Sequence, residues 1–189
     1  MIEKYLNNRF ITLYFLPFTI GIISVFSFQP LNFTILNFFI LPILFYLTVY
    51  IKKKSKGNYR KKPFKKNLFT FGTLFGFGFF LGNIHWINYS LTFDDSFKIL
   101  IPFGLILIPL FLSLFYSILI LLVGHYLNLN FSSVLLFSGG IAFSDYLRAK
   151  ILTGFPWNLW AYSFSWATEL LQILEKIGFF AFNLILITL

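Results

Sequence analysis

Cysteine is absent from the 189 residues. That excludes a disulfide, a thiolate metal site and a cysteine nucleophile within the chain, and it leaves the redox compartment open. Charge is scarce as well: Lys, Arg, Asp and Glu make up 11%, less than half of the roughly 25% that a soluble domain carries. Acid is scarcer still, with six Asp and Glu in all. A chain so poor in charge, 58% hydrophobic and with a mean hydropathy of +0.82, has no surface for water. Soluble enzymes and nucleic-acid-binding domains are excluded; this is an integral membrane protein. No ten-residue segments alternate polar with apolar, so a membrane barrel is excluded too. Helices remain, because they satisfy their own backbone hydrogen bonds in lipid.

What charge there is sits unevenly. Nine of the fifteen basic residues lie between Lys52 and Lys66, and the rest of the chain is balanced, six basic against six acidic. The formal +9 therefore marks one segment and not a polyanion-binding surface. Lysine-rich segments stay cytoplasmic, which reads 52–66 as a cytoplasmic loop with a second potential, attraction to anionic headgroups.

Apolar stretches run over Phe10–Phe26, Phe33–Ile51, Leu68–Ile87, Ile99–Val123 and Phe131–Phe143, with a last one from Ile177 to Leu189. The first four approach the ~20 residues that cross a hydrocarbon core of about 30 Å, and the fifth does so if it continues to Ala149. The last has thirteen residues, about 20 Å of helix. The expectation is an all-α bundle of five full transmembrane helices plus a truncated sixth, one transmembrane domain over 1–189. The first stretch, lacking a small-x-small cleavage site, reads as an uncleaved anchor. Alternation puts the N-terminus in the cytoplasm and turns three segments outward: Gln29–Asn32, Asn88–Lys98 and Lys150–Thr168. Between Ser163 and Lys176 polar residues recur at helical spacing, which predicts a surface-lying helix before the last stretch.

Within the third stretch Gly72, Gly76, Gly78 and Gly82 form two small-xxx-small pairs. At about 100° per residue the second pair lies roughly 200° around the helix from the first, so two neighbours can approach on opposite sides. In the fifth, Asp145 and Arg148 are three apart on one helix face, with Asp145 about 21 Å along the axis from Phe131. Arg148 reads either as reaching outward to headgroups or a substrate phosphate, or as a snorkelling ion pair. Beyond it, Gly154 and Pro156 stop any helix, and Trp157, Trp160, Tyr162 and Trp166 suit the headgroup layer. An aromatic belt accounts for the tryptophans but not for Gly-Phe-Pro-Trp-Asn, an irregular turn followed by an amide at Asn158.

Those residues carry a resemblance. Tyr146-Leu147-Arg148, Leu152-Thr153-Gly154-Phe155-Pro156-Trp157-Asn158 and Ala161-Tyr162-Ser163 look like the membrane part of bacterial apolipoprotein N-acyltransferases. Gly76-Phe77-Gly78-Phe79-Phe80-Leu81-Gly82, Trp86-Ile87-Asn88-Tyr89-Ser90-Leu91 and Phe26-Ser27-Phe28-Gln29-Pro30-Leu31-Asn32 extend it over nearly the whole chain. The resemblance implies transfer of an acyl chain from phospholipid to the N-terminal diacylglyceryl-cysteine of lipoproteins at the outer face of the bacterial inner membrane. In that family a periplasmic nitrilase-like domain supplies a Glu-Lys-Cys triad. That domain is missing here, and without cysteine no catalytic residue is assigned to this chain.

Arg148, Trp157, Asn158, Trp86 and Asp145 are the candidates for lipid or substrate contact. His85 and His125 fall at opposite ends of their spans, and no cofactor or metal site is expected. Phospholipid and a lipoprotein substrate are the implied partners. The chain reads as a fragment of such an acyltransferase; a stand-alone scaffold docking a separate nitrilase-like subunit and a small transporter are the alternatives.

Overall fold

A computed structural model describes residues 6–58, 63–151 and 154–189. Glu3, Lys4, residues 59–62 of the basic segment, and Leu152 and Thr153 of the turn motif lie outside the described residues. Eight helices are used below: α1 (Ile11–Ser27), α2 (Asn37–Asn58), α3 (Pro63–Ile84), α4 (Ile101–Gly124), α5 (Phe131–Lys150), α6 (Thr168–Leu171), α7 (Ile173–Ile177) and α8 (Phe179–Thr188). Among the described residues there is no strand.

Glycine sets the centre of the bundle. A Cβ added at Gly72 or Gly76 would press on the α4 backbone at Ser117 and Ser113, and one added at Gly78 or Gly82 would meet α1 at Phe18 and Val25. Helix α3 is thus flanked on two sides, as the spacing of its glycines requires. Its remaining inward positions are large: Phe71, Phe75, Phe79 and Phe80 have no exposed surface. Phe75 meets Tyr116 of α4 edge-on at 5.1 Å between centroids, and Phe79 lies 5.3 Å from Trp160.

Helix α4 displays the membrane character most directly. Phe103, Ile106, Leu107, Leu110, Phe111, Leu114, Ile118 and Leu122 are exposed along one face, while Ser113, Tyr116 and Ser117 are buried on the other. An apolar outside and a small polar inside is the reverse of a soluble helix. It is the arrangement in which close packing and hydrogen bonds, not the hydrophobic effect, hold helices together.

Three helical segments are long and apolar enough to cross a membrane: Thr34–Ser55, Phe64–Thr92 and Asp95–Gly124, with a fourth if Thr168–Ile177 and Phe179–Thr188 form one bent span. The helical class expected from composition is present, and three to four of the expected spans meet that measure among the described residues. The first stretch makes an apolar helix of only seventeen residues, Ile11–Ser27. The fifth, α5, has twenty residues, but its serines and buried Asp145–Arg148 pair lower its apolar content. The predicted amphipathic segment is two short helices, α6 and α7, and the chain turns through 118° into α8 at Gly178, which has φ +77°.

In the basic segment, α2 continues to Asn58 and α3 begins at Pro63. Lys52 is buried and donates to the carbonyl of Leu127 and to Asn128 Oδ1. Across the bundle, Asp94 accepts a hydrogen bond from the Ser96 N–H at 2.8 Å, which holds its carboxyl below the usual carboxylate range.

Candidate functional site: a turn held by a buried ion pair

Helix α5 ends on Arg148 and Lys150, where Ile151 turns extended. The reversal that follows needs a residue with positive φ, and Gly154 supplies it at +83°. A side chain there would also strike the Ala149 carbonyl. Phe155 N–H then donates to the Arg148 carbonyl at 2.9 Å, tying the start of the turn to the end of the helix.

The Arg148 side chain organises the rest. Nη1 donates to the Phe155 carbonyl at 3.0 Å and to the Trp157 carbonyl, and Nη2 donates to Asp145 Oδ1 at 3.1 Å. Its guanidinium carbon lies 5.1 Å from the Phe80 ring centroid. The second carboxylate oxygen is used as well: Asp145 Oδ2 accepts from Asn183 Nδ2 at 3.0 Å, and Asn183 Oδ1 accepts from the Ala161 N–H at 2.8 Å. Arg148 is 1% exposed and Asp145 2%. A buried pair survives when its leftover donors and acceptors find partners, and here backbone carbonyls and one asparagine provide them.

The ion pair with Asp145 read from helical spacing is present, but it is buried and does not snorkel: Arg148 faces inward, where the returning chain brings two carbonyls within reach. Trp157 and Asn158 are carried at the tip of the turn it holds, Asn158 with φ +55°. Asn158 Nδ2 donates to Asn83 Oδ1 at 3.2 Å, and Trp86 Nε1 donates to the Asn83 carbonyl at 3.0 Å. The Trp86 and Trp157 rings stack at 5.2 Å and 28°, and both remain exposed, at 54% and 44%. Three of the five candidates, Trp86, Trp157 and Asn158, therefore converge on one edge of the bundle, with Arg148 and Asp145 buried beneath them.

Further residues belong to the assembly. Trp160 Nε1 donates to Tyr116 Oη at 3.0 Å, Ser163 Oγ donates to the Trp160 carbonyl at 2.6 Å, and Asn37 Nδ2 donates to Ser163 Oγ at 2.7 Å. Asn183 and Asn83 were missed by the sequence reading, although an asparagine in an apolar helix is itself a signal, since lipid offers it no partner. His85 Nδ1 lies 2.7 Å from the Gly82 carbonyl, while His125 stacks on Phe64 at 5.4 Å at the other end of α3. Among the described residues no three His, Cys, Asp or Glu gather to hold a metal.

Residues 20–189 match the family model described as the apolipoprotein N-acyltransferase N-terminal domain. The chain belongs to the apolipoprotein N-acyltransferase family. It is similar to the apolipoprotein N-acyltransferase of Rickettsia prowazekii, 31% identical over 172 residues, 89% of this chain and 32% of that protein. That of Rhodopseudomonas palustris is 28% identical over 170 residues, 89% of this chain and 31% of the relative. That of Brucella melitensis is 35% identical over 108 residues, 57% and 20% of the two chains. The chain thus spans a third or less of the length of these apolipoprotein N-acyltransferases. The matched domain contains the ion pair, the turn and the tryptophan stack.

Proposed function

We propose that these residues form the membrane part of an enzyme that transfers an acyl chain from phospholipid to the N-terminal S-diacylglyceryl-cysteine of apolipoproteins in the bacterial inner membrane. The observation that carries the reading is the Gly154–Asn158 turn. It is rigidly held from inside by Arg148 and Asp145, and it presents Trp157 beside Trp86 at an exposed edge.

Paired exposed indoles suit the headgroup layer, and in this reading they border the route by which lipid approaches the catalytic domain. Arg148 and Asp145 are positioning residues, and Trp86, Trp157 and Asn158 are the contact surface. In the proposed orientation the N-terminus and the lysine-rich ends of α2 and α3 are cytoplasmic, and the turn faces outward. The 189 residues hold no cysteine, so the thiol that the family's thioester chemistry uses is supplied from outside them, by a nitrilase-like domain.

The test joins this chain to the nitrilase-like domain of the Rickettsia prowazekii relative and follows acyl transfer from phospholipid to a diacylglyceryl peptide. The joined protein is expected to turn over, whereas the 189 residues alone are not. Turnover by the 189 residues alone would demand another nucleophile and reject this division of labour. Inactivity of a well-folded joined protein in which the catalytic domain retains its thiol reactivity would count against the membrane part's proposed role.

A further inference from the structure

A second polar site lies at the opposite end of the bundle from the turn. Asn67 and Asn83 of α3 are sixteen positions apart, about 24 Å along the axis, close to the thickness of a hydrocarbon core. At the Asn67 end there is a cavity of about 330 Å³ between the segment preceding α1, the end of α2 and the start of α3. That volume is at the lower end of the range for small-molecule sites.

The lining is mixed: Arg9, Lys54, Asn7, Asn67 and Tyr50 contribute polar groups, and Leu6, Leu13 and Ile51 apolar ones. Among the described residues that line it, two are cations and none is Asp or Glu.

The hydrogen bonds hold these groups in place without neutralising them. Lys54 Nζ donates to Asn7 Oδ1 at 2.7 Å and to the Asn7 carbonyl at 3.0 Å. Tyr50 Oη donates to the same Asn7 oxygen at 3.2 Å. Arg9 Nη2 donates to Asn67 Oδ1 at 3.2 Å, and Asn67 Nδ2 donates to Ser55 Oγ at 2.8 Å. A guanidinium has five N–H donors. Among the described residues one hydrogen bond uses Arg9's, and the acceptors in the cavity are neutral amides, carbonyls and hydroxyls. A site with two positive charges, unused donors in a planar fork and no carboxylate among the described residues fits an oxyanion. Arginine binds phosphate through such a fork, and lysine adds a point charge.

We infer that this cavity binds the phosphodiester of an anionic phospholipid, a headgroup site separate from the Trp86–Trp157 edge and independent of whether the protein transfers acyl chains. A lipid fits better than free phosphate because Leu6, Leu13 and Ile51 also line the cavity, and the chain neighbours of Arg9 and Leu13 are exposed rings. Phe10 and Tyr14 stack at 5.8 Å and are 65% and 42% exposed, leaving an apolar strip along which acyl chains can lie.

The experiment measures binding of phosphatidylglycerol and phosphatidylcholine with identical acyl chains to the 189-residue chain in detergent micelles, by native mass spectrometry, with inorganic phosphate as competitor. Phosphatidylglycerol is expected to bind more tightly, with little competition from phosphate. Each neutralisation, Arg9→Gln or Lys54→Gln, should weaken it about fivefold and both together about twenty-five-fold, from the usual worth of one basic residue near a membrane surface. Arg9→Lys with Lys54→Arg should retain at least the single-variant level.

Lys53→Gln with Lys65→Gln removes the same charge from exposed positions nearby and should have less than a twofold effect. An equal loss in that pair would show diffuse attraction and overturn the site. Full displacement by phosphate alone would overturn the lipid assignment. If the double neutralisation fails to elute as a single species, the two single variants decide, and no loss in either rejects the inference.

Discussion

Arg148 shows how much one side chain can carry in a bundle with few polar groups. It closes the Gly154–Asn158 turn from beneath, so its loss should be felt as stability before it is felt as chemistry. Arg148→Ala leaves Asp145 buried without its cation, and such a loss typically costs about 3–5 kcal/mol; thermal unfolding in detergent should record a large drop together with a fall in membrane-inserted protein. Asn183→Leu strands Asp145 Oδ2 and the Ala161 N–H, a smaller cost of about 1–3 kcal/mol. Trp157→Ala is expected to behave oppositely. It gives up an exposed ring pair worth about 0.5–1.5 kcal/mol and should leave the amount of folded protein nearly unchanged, while acyl transfer by the joined protein falls several-fold. Equal losses of amount and activity in Trp157→Ala would make the tryptophan structural. The i, i+3 pairing of Asp145 with Arg148 was legible in the sequence because helical spacing fixes it. The inward direction of the guanidinium was not, since the two carbonyls it meets are free only because the chain reverses at Gly154.

Among the elements, α3 tests the packing argument most sharply. Gly76→Val would drive a branched side chain into Ser113 of α4, and overpacking of this kind typically costs about 1–3 kcal/mol. Gly139 in α5 has nothing within 4 Å of the place a Cβ would occupy. Gly139→Ala should therefore be neutral or raise the unfolding temperature slightly, alanine being about 1 kcal/mol better in a helix. A Gly76→Val protein as stable as Gly139→Ala would show that α3 and α4 do not pack as closely as their backbones require. The central place of α3 was readable because four glycines at fixed spacing define two faces. The shapes of the individual helices were not, because a hydropathy stretch carries no sign of where α1 runs out, why α5 tolerates an ion pair, or that Gly178 bends the last segment.

For the molecule as a whole, a chain without cysteine is ready for single-site labelling. Asp95→Cys, on a side chain that is 92% exposed, should react with a membrane-impermeant thiol reagent added from the outward side, and Lys53→Cys should not. The reverse pattern would invert the proposed orientation. The fold class and the family were visible from composition and from one run of turn residues. The Arg9–Lys54 cavity was not, because its members come from three segments that only packing brings together.

The ion pair also bears on how the protein is made. Asp145 precedes Asn183 by 38 positions, so at about 5–20 residues per second the ribosome needs roughly two to eight seconds to deliver the second partner. During that interval the Asp145 carboxylate has Arg148 for a partner and lacks the Asn183 amide, so the polar centre of the bundle is completed only when α8 arrives.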